Sequence, residues 1–179
     1  MKFCSNCGSS VDQQIPEGDN RLRFVCNDCD TIHYQNPRII AGCVVEHDQK
    51  ILLCKRAIEP RKGYWTLPAG FMENGETVEE GAVRETWEEA LAKVVSPALY
   101  TMFNLPHISQ VYVFYRGSLL DGEFGAGEET LESKLFSEHE IPWDNLAFPT
   151  IHRALKHFFN DAQNNHFPVR IEDIVFTRK

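Results

Sequence analysis

The stretch from Gly70 to Glu89 constrains this 179-residue chain more than any other. It reads Gly70-Phe71-Met72-Glu73-Asn74-Gly75-Glu76-Thr77 and ends Arg84-Glu85-Thr86-Trp87-Glu88-Glu89. Asn74-Gly75 is a turn signal, and Thr77 followed by Glu80 forms a capping box. The pattern predicts a helix from about Val78 to Ala92, with Ala82, Val83, Thr86 and Ala90 as its packing positions. Offsets of three and four residues bring Glu85, Glu88 and Glu89 together on one face. Like charges at that spacing repel, and carboxylates near a helix C-terminus oppose the macrodipole. A divalent cation gives the arrangement a purpose, because hard cations prefer carboxylate oxygens and bring substrate phosphates with them. The competing reading is a solvated acidic face, which leaves the fixed glycine and the helix start without a role.

A second pattern lies near the N-terminus. Cys4-Ser5-Asn6-Cys7 and Cys26-Asn27-Asp28-Cys29 form a C-x2-C, x18, C-x2-C spacing. Two tight knuckles, the first followed by Gly8, can present four thiolates to one tetrahedral Zn2+. Four protein ligands leave no open position, so the expected role is structural. A segment this short buries too little apolar surface to fold alone, and the metal would supply most of its folding energy. Cys43 and Cys54 lie in strand-like runs and read as core thiols. His33 reads as a surface or packing residue.

Composition narrows the function classes. A net charge of −8 argues against a general nucleic-acid binder, which would show a basic face. It does not exclude a phosphate substrate, since bound metal inverts the local field. No apolar run reaches membrane-spanning length. The opening Met1-Lys2-Phe3-Cys4 lacks a signal-peptide core, so the expected location is cytoplasmic and the cysteines are expected reduced.

Asn36-Pro37 separates the cysteine module from the rest. A β-hairpin is expected from Ile39–Val45 and Ile51–Cys54, then a short strand at 64–68 running into Gly70. Val94-Val95, 99–103, 109–116 and 133–137 read as further strands. Ile151, Ala154, Leu155, Phe158, Phe159 and Ala162 recur at helical spacing, which predicts an amphipathic helix after Pro149. The tail from Phe167 is ambiguous. Strands interleaved with two helices suggest a mixed sheet between helices.

The spacing Gly70, Glu76, Arg84-Glu85, Glu88-Glu89 resembles the Nudix box, G-x5-E-x7-R-E-U-x-E-E-x-G-U, with U aliphatic. The match departs at Thr86 and Ala92, where aliphatic residues are usual, and at Leu91, which replaces a glycine. The zinc knuckles, Tyr34-Gln35-Asn36-Pro37, Leu67-Pro68-Ala69-Gly70 and Leu146-Ala147-Phe148-Pro149 are similar to a zinc-ribbon subgroup that includes FAD and ADP-ribose pyrophosphatases. The resemblance implies an α/β fold: a Nudix α/β/α sandwich with a mixed sheet, preceded by a small zinc-ribbon module. The expected domains are a zinc ribbon at 1–34, a Nudix domain at 37–165 and a tail at 166–179.

The same resemblance implies a hydrolase that splits the pyrophosphate of a small-molecule dinucleotide, FAD or ADP-ribose, using Mg2+ or Mn2+. Glu85, Glu88, Glu89 and the Gly70 carbonyl are the implied ligands. Glu76 is their implied support, and Arg84 reads as an orienting partner for Glu76 or Glu88. Glu128 or Glu129, in the glycine-flanked loop Gly125-Ala126-Gly127-Glu128-Glu129, is a candidate base or further ligand. Arg56, Arg61 and Lys62 are candidate phosphate contacts. Tyr34, Trp65, Phe71 and Phe148 are candidates for stacking a planar ring. The S-Q-P-W-P-F-P-x-S run of NADH pyrophosphatases is missing near Pro106, which disfavours NADH. NADH or nucleoside triphosphates remain alternative substrates, and a non-catalytic binding module is the third class. A homodimer is expected by resemblance only.

Overall fold

The computed structural model describes residues 1–175, in two compact units, Met1–Pro37 and Arg38–Lys179. The first carries a three-stranded antiparallel sheet of β1 (Val11–Gln14), β2 (Arg23–Cys26) and β3 (Ile32–His33), in that order. Its strands are short, and only Val25 and Cys26 among their residues are buried, as expected of a module with little core.

The second unit is built on a mixed sheet. In chain order its elements are β4 (Arg38–His47), β5 (Lys50–Arg56), β6 (Trp65–Thr66), β7 (Ala69–Phe71), α1 (Val78–Ala90), β8 (Val94–Leu105), β9 (Gln110–Leu119), β10 (Thr130–Phe136), α2 (Pro149–Ala162) and β11 (Arg170–Asp173). The main strand order is β10-β5-β4-β9-β8-β11, with β6 on β5 and β7 on β4. The β4–β9 and β8–β11 pairs are parallel and the others antiparallel.

The two-residue period of a strand explains the sandwich. Alternate residues of β4 and β5 divide between two cores. Ala41, Cys43, Val45, Leu52 and Cys54 pack with Ala82 and Ala90 of α1. Val44, Ile51 and Leu53 pack with Ile151, Ala154, Leu155, Phe158 and Phe159 of α2. Each helix therefore covers one face, and the apolar stripe of α2 is core, as its spacing predicts. Cys43 and Cys54 are fully enclosed, and burial pushes their thiols up to about 11 and about 12.

Several elements differ from expectation. Val94-Val95 and the run at 99–103 are one strand, because a bulge at Ser96 (φ 51°) and Pro97 lets the pairing with β9 resume at Ala98. Ser109 is not in a strand; it caps a short 3-10 turn at φ 51°. The ambiguous tail contributes β11, which ion pairs hold to α2: Asp161 with Arg170, and Arg153 and His157 with Glu172. The last four residues of that tail lie outside the described residues.

Helix α1 begins as predicted. The Glu80 N–H donates to Thr77 Oγ1 at 3.2 Å, and the Thr77 N–H donates to Glu80 Oε2 at 2.7 Å. It stops at Ala90 instead of Ala92, because Leu91 takes a left-handed conformation (φ 49°) and its N–H closes on the Trp87 carbonyl at 2.8 Å. A residue with a Cβ pays about 1–2 kcal/mol for that conformation, whereas glycine costs about 0.5–1 kcal/mol in unfolded-chain entropy. Leu91→Gly is therefore expected to leave the unfolding free energy unchanged or raise it by up to about 1 kcal/mol in urea titration. A loss larger than that would mean the leucine side chain matters more than its backbone strain.

Candidate active site and metal centres

In the first unit the four cysteines are unpaired by disulfides, and their sulfur atoms all lie within 4.8 Å of one another. Cys4 and Cys29 are 3.8 Å apart, and Cys7 and Cys26 are 3.4 Å apart. A tetrahedron with Zn–S bonds of about 2.3 Å has edges of about 3.8 Å, so the donor set fits zinc. Burial opposes ionisation of Cys4, but backbone N–H groups at Cys7 and Asn6 and the His33 ring outweigh it, bringing the thiol down to about 6. His33, read from the sequence as a bystander, has Nε2 at 3.3 Å from Cys4 Sγ. The signal was its placement on a strand two residues after Thr31, visible only once β2 and β3 pair. Extraction with a strong chelator should unfold this unit and leave the circular dichroism of the sandwich intact; an unchanged ribbon after complete zinc loss would contradict the structural role.

The second unit places its box residues along a cavity of about 950 Å³. Arg84, on α1, is the hub of the acidic wall. Its Nε and Nη2 grip Glu76 as a fork at 2.9 and 2.8 Å. Nη2 also donates to the Phe71 carbonyl at 3.2 Å, and Nη1 bridges Glu85 and Glu88 at 2.8 and 2.9 Å. Arg84 thus orients both glutamates proposed from sequence, and Glu85 as well. The fork drives the Glu76 carboxyl down to about 2, helped by the Glu73 N–H at 2.7 Å.

The three box carboxylates do not share one environment. Glu88 is exposed, Glu85 is half-buried against the backbone of β7, and Glu89 is only 8% accessible. Glu89 therefore sits on the margin of the packing face, not on a solvated one. Burial pushes its carboxyl up to about 8, and Glu85 and Glu129 push the same way against the Ala69 N–H (3.2 Å) and Arg56. Burial also raises Glu85, against the pull of Arg84. Among the described residues only the cysteines converge as a group of three or more ligand atoms. Here Glu85 and Glu88 turn to the Arg84 guanidinium and Glu89 to a backbone N–H. A buried carboxyl with so little cationic compensation fits a hard divalent cation.

Two glycines make this packing possible. A Cβ on Gly70 would meet the Glu85 carboxylate at 2.2 Å, so the carboxylate keeps this place against β7 only with glycine there. A Cβ on Gly127 would lie 1.7 Å from the Glu88 carbonyl oxygen. The Gly125 and Gly127 N–H groups cap the Ala90 and Glu89 carbonyls at 2.7 and 3.0 Å. The glycine-flanked loop is thus docked on the end of α1, and it carries Glu128 and Glu129 to the cavity.

Away from the acidic wall, Ile40, Ile58, Phe71, Leu105, Tyr112 and Phe148 supply apolar lining, interspersed with polar groups that include Arg56. The Arg56 guanidinium lies 5.3 Å over the Phe148 ring and donates from Nε to the Pro60 carbonyl. Arg61 is not among the lining residues; its guanidinium stacks 5.2 Å over Tyr64. Trp65 is buried in the α2 core, and Tyr34 belongs to the other unit, under Arg23. Sequence reasoning missed Tyr112 and Thr150, which also line the cavity; the Thr150 hydroxyl is buried without a hydrogen-bond partner.

Glu89 supplies a pH test. Its folded value lies above the unfolded one, so the folded state binds more protons between about pH 4.5 and 8. Stability of the metal-free protein should therefore fall as pH rises through that window. Glu89→Gln should flatten the profile and stabilise the metal-free protein by about 2–4 kcal/mol above pH 8, a gain that excess Mg2+ given to both proteins should erase. A variant less stable than the parent without metal would contradict the assignment.

Comparison with known proteins agrees with this geometry. Residues 2–35 match the zinc-ribbon family described as Nudix N-terminal, and residues 36–158 match the NUDIX domain. An ADP-ribose pyrophosphatase of Methanocaldococcus jannaschii is 38% identical over 124 residues, 64% of this chain and 69% of that protein. The NAD-capped RNA hydrolase NudC of Vibrio atlanticus is 38% identical over 91 residues, 50% of this chain but 31% of its own length. The chain thus spans about a third of that relative. A crystal structure of a NUDIX hydrolase from Nitrosomonas europaea superposes with a TM-score of 0.91 at 52% identity, covering 97% of this chain and 100% of that one. No helix among the described residues is long and apolar enough to cross a membrane. A box match on an acidic cavity, a two-core sandwich and a four-cysteine ribbon together make this chain a member of the Nudix hydrolase family with an N-terminal Nudix zinc ribbon.

Proposed function

We propose that this Nudix hydrolase splits the pyrophosphate bond of a dinucleotide, ADP-ribose (to AMP and ribose 5-phosphate) or FAD (to FMN and AMP). The observation that carries the reading is one cavity of about 950 Å³ lined by both the box carboxylates and apolar side chains. That volume is at the upper end of small-molecule sites and suits a ligand with two bulky ends. The M. jannaschii relative, named for ADP-ribose, supports the same class.

Glu85, Glu88, Glu89 and the Gly70 carbonyl would hold Mg2+ or Mn2+. Bound there, the cation would acidify a water and offset charge developing on the phosphates. The chain's own residues do the rest. Arg84 fixes Glu85 and Glu88 against rotation while leaving their remaining oxygens available. Glu76 holds Arg84, and the lowered pKa of its carboxyl keeps it ionised and that fork closed across the physiological range. Glu128 and Glu129 stand on the docked loop as acceptors for the proton of an attacking water. Arg56 faces the same space and would neutralise a phosphate oxygen. Location in the cytoplasm, a homodimer and a structural zinc complete the proposal.

Purified protein should convert ADP-ribose or FAD to AMP plus the second monophosphate only when Mg2+ or Mn2+ is added. Glu88→Gln should lower kcat on the order of 100-fold with the fold intact. Unchanged metal-dependent turnover in that variant would show the site is wrong. If NAD-capped RNA is cleaved and the free dinucleotides are not, the small-molecule reading fails.

A further inference from the structure

The first unit carries chemistry that pyrophosphate hydrolysis does not use. Four thiolates on one Zn2+ bring two negative charges more than the ion neutralises, and hydrogen bonds from the surrounding chain disperse them. The chain distributes those bonds unevenly. Cys4 Sγ accepts from the Asn6 N–H at 3.3 Å and lies 3.3 Å from His33 Nε2. Cys26 Sγ accepts from the Asp28 and Cys29 N–H groups, each at 3.5 Å. Cys29 Sγ has the Thr31 hydroxyl at 3.1 Å, which against a thiolate must be the donor, and Asn6 Nδ2 at 3.7 Å. Cys7 Sγ has the Cys26 sulfur at 3.4 Å, but among the described residues no N–H or O–H group donates to it.

Access divides the four in another way. Cys4 and Cys26 are buried, whereas Cys7 and Cys29 are exposed. A hydrogen bond to a thiolate ties up a lone pair and lowers its nucleophilicity, and exposure decides which sulfur a reagent meets. Cys29 shares the exposure but has two donors. Among the described residues, only Cys7 combines an open sulfur with no donor.

We propose that Cys7 is the reactive thiolate of the ribbon, the point at which a hydroperoxide oxidises the zinc site and empties it. With hydrogen peroxide, the Cys7 thiolate attacks one oxygen. An S–O bond forms, the O–O bond breaks and hydroxide leaves, giving the sulfenic acid. The Cys26 thiolate, the sulfur 3.4 Å away, then attacks Cys7. An S–S bond forms, the S–O bond breaks and a second hydroxide leaves. Two thiolates have given two electrons to one peroxide, and Zn2+ is left with two of its four ligands and departs. A dithiol reductant and fresh zinc reverse the sequence. Because the metal supplies most of this unit's folding energy, its loss unfolds the ribbon.

The identity of the metal rests on the zinc reading of this unit, so the zinc content of the purified full chain is measured first. The zinc-loaded chain is then treated with limiting hydrogen peroxide, with and without dimedone to trap sulfenic acid. Zinc release is followed with a colorimetric chelator, and modified cysteines are mapped by mass spectrometry, for the parent and for Thr31→Val. In the parent the dimedone adduct is expected on Cys7 at about 10 times its level on Cys29, the rate difference that one hydrogen bond supports. Without dimedone, a Cys7–Cys26 disulfide should appear together with one zinc released per peroxide consumed, and dithiothreitol with zinc should reload the site. Thr31→Val removes a donor from Cys29 and should bring its labelling to within a few-fold of that of Cys7. Equal labelling of Cys7 and Cys29 in the parent would overturn the proposal, as would a first adduct on another cysteine or zinc retained after Cys7 is oxidised. A labelling ratio unchanged in Thr31→Val would overturn its hydrogen-bond basis. A chain that neither carries nor takes up zinc fails the metal reading itself, and the proposal falls with it.

Discussion

The grip of one guanidinium on four acceptors organises the catalytic end of this protein. Arg84 holds Glu76, Glu85, Glu88 and the Phe71 carbonyl at once. Through Glu76 and Phe71 it ties the loop before α1 to the helix, and through Glu85 and Glu88 it sets the donor oxygens. Without it, carboxylates one helical turn apart would repel and splay. Its partners in turn require glycine at two positions. Gly70 lets the Glu85 carboxylate lie against β7, and Gly127 lets the Glu128–Glu129 loop close on the end of α1. Charge, backbone approach and loop placement are therefore one arrangement.

The sandwich supplies the rigid frame for that arrangement. Two cores on opposite faces of the sheet clamp β4 and β5 between α1 and α2. The cavity is lined from both helices and the sheet: the glutamates of α1, the strand row of Phe71, Ile40 and Tyr112, and the start of α2. Glu89 carries the energetic cost of this design. It is an acid buried beside other acids, and burial holds its carboxyl above the usual carboxylate range. A divalent cation bound there would offset that cost.

Much of this was legible in the sequence because the signals were local. The capping box at Thr77, the cysteine spacing, the apolar stripe of α2 and the box residues each depend on neighbours a few positions away. What the sequence did not disclose depends on distant pairing. The bulge at Ser96 and Pro97, the docking of Gly125 and Gly127 on α1, and the seating of the tail strand β11 beside β8 all need tertiary partners. The same holds at the site. Arg84 was expected to meet Glu76 or Glu88 and meets both, because the loop returns to the helix. Arg61, close to Arg56 in sequence, faces Tyr64 because the chain turns after β5. His33 comes near Cys4 only through the β2–β3 pairing.

The central claim is that the three box glutamates form a divalent-cation site organised by Arg84. A crystal grown with Mn2+ and a non-hydrolysable ADP-ribose analogue, measured at the manganese absorption edge, tests it most directly. The account predicts anomalous peaks at about 2.0–2.3 Å from oxygens of Glu85, Glu88 and Glu89, with Arg84 still forked on Glu76. Density for the analogue's diphosphate away from these carboxylates, with no anomalous peak among them, would contradict it.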